Sequence, residues 1–183
     1  MVQALRDLIE DSCFDEASLT EALSTFECVY SGDESEDVTS FLVKDAIRLE
    51  REAITRTYLI INDERWEEGC VQIDGYFSIA IKVIYFHGVD LGILENAFGN
   101  GSQKNCPAFL IGQLARGVHS PKGSGAEYLK KALSYVASVK DIIGGRFVYL
   151  DCVPERRTYY ETQGFAFLKN KHNSPLIQMY KII

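Results

Sequence analysis

The stretch LIGQLARGVHSPKGSGAEYLKKAL, Leu110–Leu133, joins an apolar run to a helical pattern through a short loop of Ser, Pro, Lys and Gly. Gly123 and Gly125 remove side chains where the helix begins, and Lys122 stands in front of them. A Walker A loop needs its lysine directly after the last glycine, but here Lys122 precedes Gly123. A dinucleotide fingerprint needs a third glycine at position 128, where Tyr128 stands. What survives is the physics shared by both motifs. The first N–H groups of a helix have no partner inside it, and with the helix dipole they attract an anion such as a pyrophosphate. Lys122 would add a point charge at the rim. The other reading is a plain glycine-rich turn, and this stretch alone leaves both open.

Outward from the loop, apolar spacing predicts a strand over residues 107–116 and a helix over 124–139. A strand over 146–153, a short helix over 155–162 and strands near 165–168 and 176–182 complete the C-terminal side. On the N-terminal side, residues 2–11 and 15–26 read as short helices, the second capped by Asp15 or Ser18. Tyr30–Ser40 reads as an acidic loop. Its alternating Asp33, Ser35 and Asp37 are not a calcium loop, because Val38 and Lys44 hold the places of the turn glycine and the closing glutamate. A helix over 40–55, capped by Ser40, leads to β-branched and aromatic runs at 55–62 and 70–86, joined by a polar turn at 63–69. Residues 86–105 form a long glycine-rich loop with a helical turn near 91–98, and such loops are often functional.

Composition narrows the class. The 183 residues are 46% hydrophobic and 25% charged, which suits one globular domain. Met1–Asp11 lacks the basic start and apolar middle of a signal peptide, and no apolar run nears the ~18 residues of a membrane span. A soluble cytoplasmic protein is the expectation. Five cysteines with wide spacing and no C-x-x-C give neither a zinc site nor a redox pair, so no metal is expected and buried reduced thiols are. The net charge of -7 is uneven: residues 1–70 carry 18 acidic and 6 basic side chains, residues 71–183 carry 8 and 13. A mildly basic part can meet a phosphorylated cofactor, but so small an excess does not suit a duplex-binding face.

A second segment bears on the loop. After the strand GRFVYLDCV comes RTYYETQGF, Arg157–Phe165, in which Tyr160 is followed four and five residues later by Gly164 and Phe165. Together, and about 35 residues apart, the two segments resemble the GNAT family of acyl-CoA-dependent N-acetyltransferases over roughly Pro107–Phe165. That family pairs a loop of form Gln/Arg-x-x-Gly-x-Gly/Ala with a later Tyr-x-x-x-Gly-Phe pattern. Three positions depart from it: Ser120 for the Gln/Arg that opens the loop, and Val153 and Arg156 for an Asn and an Ala before the tyrosine.

The resemblance implies a mixed, partly splayed α/β sheet flanked by helices, over one domain spanning 1–183 with residues 1–40 as a helical, acidic N-terminal extension. It implies acetyl-CoA as co-substrate, held by the backbone of Leu114, Ala115 and Arg116 along its pantetheine arm. The N–H groups of Lys122, Gly123, Ser124, Gly125 and Ala126 would hold its pyrophosphate. It makes Tyr160 the general acid for the leaving thiolate, a reasonable match because a phenol's pKa lies above a thiol's. Tyr159 is then packing. No cysteine sits where a nucleophile belongs, so the acceptor amine attacks directly. His87, Glu95 and His119 are candidates for the base by residue type only, and none is assigned; His119 and His172 read as loop residues.

The acceptor is a primary amine on a small molecule or protein, expected against the 86–105 loop and Gly75–Ile81, and a homodimer is left open. Phe41-Leu42, Ala46 and Gly75-Tyr76 also resemble, more loosely, the GNAT branch of toxin acetyltransferases acting on charged tRNA. The acidic balance argues against a tRNA partner, since phosphate contacts need Lys and Arg, and favours a cationic acceptor. The remaining alternative is a catalytically silent CoA-binding module.

Overall fold

The computed structural model describes residues 1–11, 15–30, 32–99 and 101–183 of the chain. They pack as two compact units, Met1–Ala80 with Gln113–Leu133, and Ile81–Gly112 with Ser134–Ile183.

In the first unit, β1 (Val2–Ala4) precedes α1 (Leu5–Glu10), where the sequence pattern predicts one helix over 2–11. The reason is tertiary: Val2, Gln3 and Ala4 pair antiparallel with Ile60, Leu59 and Tyr58 of β2 (Arg56–Ile61). Helix α2 (Glu16–Ser24) starts at Asp15, whose carboxylate accepts from the Ser18 N–H at 2.7 Å. The acidic stretch expected as a loop is instead α3 (Asp33–Ser40), and Ser40 is helical rather than a cap. A π turn, Phe41–Asp45, then leads into α4 (Ala46–Arg51), which stops short of the expected residue 55. Just before the turn the Tyr76 hydroxyl donates to the Val38 carbonyl at 2.5 Å, and at its end Ala46 N–H bonds the Phe41 carbonyl. The expected turn at 63–69 contains helix α5 (Asp63–Glu67), capped by Asn62. Leu5, Leu8, Leu19, Leu23, Leu42 and Tyr76 are fully or nearly buried together, so α1, α2 and the π turn close over one face of β2 and β3 (Ile73–Tyr85).

In the second unit, α6 (Leu91–Phe98) lies inside the long loop. It carries Phe98 onto Phe86 and Phe147, with ring centroids 5.3 Å apart in each case. The remaining elements are β4 (Asn105–Arg116), α7 (Ser124–Ile143), β5 (Phe147–Cys152), a 3-10 turn at Pro154–Arg156, α8 (Arg157–Thr162), β6 (Ala166–Asn170) and β7 (Ile177–Ile182). The strands form one mixed seven-stranded sheet in the order β1-β2-β3-β4-β5-β7-β6. Its one parallel junction among the described pairings is β4–β5, which joins only Phe109 to Val148 and Leu110 to Tyr149. That short pairing is the partial splay the resemblance implies. By contrast β5 and β7 pair over six residues each.

Of the cysteines, Cys106 and Cys152 are buried as expected, but Cys28 is half-buried and Cys70 exposed; Cys13 lies outside the described residues. No helix among the described residues is long and apolar enough to cross a membrane.

Candidate active site

The loop between β4 and α7 is held by bonds from four directions. Gly117 N–H donates to the Asp74 carbonyl at 2.7 Å, and Val118 N–H to Glu27 at 2.9 Å. The Arg116 guanidinium reaches forward to the carbonyls of Ser120 and Pro121, at 3.2 and 3.3 Å. Ser120, a departure from the family pattern, is buried. Its hydroxyl makes a short bond to the Asp74 carbonyl and lies 2.7 Å from the Tyr128 hydroxyl. Tyr128 in turn lies on Gly75: a Cβ there would come within 2.5 Å of the Tyr128 ring and 2.7 Å of the Ala115 carbonyl. Gly75 is therefore required by close approach, and Tyr128 anchors the first turn of α7 to β3.

This framework decides which backbone groups are free. Ser124 N–H is turned onto Pro121 at 3.3 Å and Ala126 N–H onto Gly123 at 3.2 Å. Among the described residues, Lys122, Gly123 and Gly125 have no such backbone acceptor. Gly123 has φ +96°, a conformation L side chains rarely adopt, and open space around it. Lys122 and Gly123 are both exposed, so the three N–H groups form a small donor cluster at the head of a twenty-residue helix. Five donors were expected from the sequence; three are uncommitted.

A strand residue points its N–H and C=O to one side and the next residue points to the other. Gly117 N–H faces β3, so Ala115 faces β3 as well, while Leu114 and Arg116 face away. The Arg116 carbonyl is taken by Val29 N–H at 2.9 Å. Of the three strand residues expected to hold a pantetheine arm, Leu114 alone turns both backbone groups to the side away from β3 without a bond there among the described residues.

Tyr160 lies in the second unit, in α8. The Tyr-x-x-x-Gly-Phe spacing is a helix C-cap of the Schellman type. Phe165 N–H bonds the Tyr160 carbonyl and Gly164 N–H bonds Glu161, both at 3.0 Å, with Gly164 at φ +82°. The apolar contact that accompanies this cap is Tyr160 on Phe165, ring centroids 5.8 Å apart, with Tyr159 on the other side at 5.1 Å. Tyr160 is buried. Val153 and Arg156 bracket a 3-10 turn opened by Pro154. Of the base candidates, His87 borders a pocket of the second unit, Glu95 is exposed on α6, and His119 is exposed in the loop of the first unit.

No family model and no curated protein sequence matches the chain. Solved structures do. A structure of AtaT complexed with acetyl-methionyl-tRNAfMet shares 20% identity and superposes with a TM-score of 0.69, covering 97% of this chain and 92% of that one. A mutant of KacT gives 15% identity and a TM-score of 0.70 over the same shares. A structure of AtaTR bound with AcCoA gives 20% identity and 0.65, covering 97% and 90%. The fold is the GNAT fold. Within it, sequence reasoning missed Ser120, Gly75 and Tyr128 as a set. Tyr128 entered only as the residue that spoils a dinucleotide fingerprint, and its partner lies 53 positions away at Gly75. The resemblance drew attention to Gly75 and Ser120 one at a time, and nothing local joined them.

Proposed function

We propose that the chain is an acyl-CoA-dependent N-acetyltransferase that moves an acetyl group from acetyl-CoA to a primary amine by direct attack. The observation that carries this is the loop at the head of α7, where Lys122, Gly123 and Gly125 offer uncommitted N–H groups at the end of a strand whose Leu114 backbone is open. These donors suit a pyrophosphate, and Leu114 suits an extended amide arm that pairs as a strand would. Ser124 and Ala126 line the same turn through their backbone. Ala115 and Arg116 act by fixing the strand and the loop. Acetyl-CoA supplies the activated acetyl group and a thiolate leaving group. The Tyr160 hydroxyl holds the proton for that sulfur, and the proton shed by the attacking amine goes to water.

The GNAT fold supports this reading, and a neighbour that carries acetyl-methionyl-tRNAfMet supports a more specific one, in which the amine belongs to an aminoacyl-tRNA. Against it stands the acidic first third of the chain, with 18 carboxylates to 6 basic groups. The test has two stages. Acetyl-CoA should raise the melting temperature in a concentration-dependent way, because it binds only the folded chain; silence at millimolar acetyl-CoA and CoA removes the proposal. Labelled acetyl-CoA is then offered with polyamines, aminoglycosides, peptides and charged tRNA. Label on charged tRNA selects the toxin-type reading, and label on a small amine or peptide selects the other.

A further inference from the structure

We propose that the second unit holds a separate binding site for a phosphorylated small molecule of mononucleotide size, in the pocket beside the end of β3. The pocket has a volume of about 700 Å³, within the range typical of small-ligand sites. Lys82, Lys169, His87 and His172 line it, so two of the chain's three histidines meet two lysines there. No Asp or Glu is among its described lining residues.

The cations are held in place. Lys169 Nζ donates to the carbonyls of Tyr85 and His87, at 2.6 and 2.8 Å, which ties β6 to the end of β3 and leaves one ammonium N–H over. Lys82 Nζ lies 4.8 Å from the centre of the Tyr149 ring. The nearby carboxylate, Asp151, is already engaged by Lys171 at 2.7 Å, Lys82 at 3.7 Å and the Tyr149 hydroxyl at 2.5 Å. Its charge is thus compensated, and the wall remains cationic. Burial lowers the pKa of Lys169, a cost to the ammonium that an arriving dianion would relieve.

The rest of the pocket suits a flat ring. Tyr85 is 64% exposed, an unusual setting for an aromatic with nothing on it, and Val83 beside it is exposed as well. Gln178 and Asn170 add amide donors and acceptors. A phosphate at the lysines and histidines with a base on Tyr85 uses both halves at once. The residues differ from those assigned to acetyl-CoA, and the site stands whether or not the chain transfers acetyl groups.

Calorimetry on the full chain, with and without saturating CoA, tests this with AMP, ribose 5-phosphate, inorganic phosphate and adenosine. AMP should bind best, and CoA should not displace it. Lys82→Gln should weaken AMP about tenfold, the weight of one charge-assisted hydrogen bond. Tyr85→Ala, a change at an exposed side chain that leaves the fold intact, should weaken AMP while leaving inorganic phosphate unchanged. The proposal is overturned by no binding of AMP at about 10 mM, by wild-type affinity in both variants, or by displacement with CoA. A single-stranded RNA that binds and is not displaced by AMP also overturns the small-molecule assignment.

Discussion

Tyr160 is the residue on which the proposed chemistry turns, and its surroundings explain why the same side chain can look structural. As the apolar partner of Phe165 in a helix cap, its ring is wanted for packing whatever the hydroxyl does. Tyr160→Phe separates the two roles. With an acceptor in hand, kcat should fall by ~10²–10⁴-fold while KM for acetyl-CoA and the melting temperature hold, because a positioned acid acts only as the thiolate leaves. An unchanged kcat, with stability lowered by ~1 kcal/mol, would make the hydroxyl a packing group. At this scale the sequence shows the glycines the backbone requires, Gly123 at φ +96° and Gly164 at φ +82°. It was read poorly at Ser120. There a mismatch to a family pattern stands for a positive contact, since the hydroxyl ties the loop to Asp74 and Tyr128.

Elements show the same division between local and distant causes. Asp15 caps α2 because its signal lies three residues away. The helix Asp33–Ser40 was hidden, because Asp and Ser compete with the backbone for hydrogen bonds and, with β-branched Val38 and Thr39, weaken helix propensity, so the polar run reads as a solvated loop. It forms against the Tyr76 hydroxyl, from a strand 38 residues on. The three residues of β1 are too few to show a period. Strand β2 carries a correctable flaw. Glu50, almost wholly buried, accepts from Thr57 N–H at 2.7 Å and from Arg56 at 2.8 Å. The Thr57 hydroxyl, at 1% exposure, has no partner among the described residues. Thr57→Val keeps the shape and the backbone bond to Glu50 while removing the stranded polar atom. It should stabilise the chain by ~1 kcal/mol and raise the melting temperature by ~2–4 °C, read by calorimetry. A fall in melting temperature would show that a water or a neighbour satisfies that hydroxyl.

For the whole molecule, the apolar runs and helical patterns mark strands and helices along the chain, while the mixed sheet with helices on it is what the family resemblance implies. Strand order was not legible, because β7 enters between β5 and β6 and nothing local in the sequence marks that insertion. Charge segregation is legible directly, and Lys82 and Lys169 of the second unit's pocket lie in the basic part of the sequence. The open side of Leu114 has a consequence for isotope exchange. In deuterated buffer the amides of Gly117, Val118 and Val29, each bonded to a carbonyl at 2.7–2.9 Å, should retain their protons. The Leu114 amide, on the same stretch of strand, should lose its proton early. If acetyl-CoA pairs with it there, deuterium uptake at Leu114 slows on adding the ligand and its neighbours change little. Uptake at Leu114 that is already slow in the free chain would mean that its side of the strand is closed before any ligand arrives.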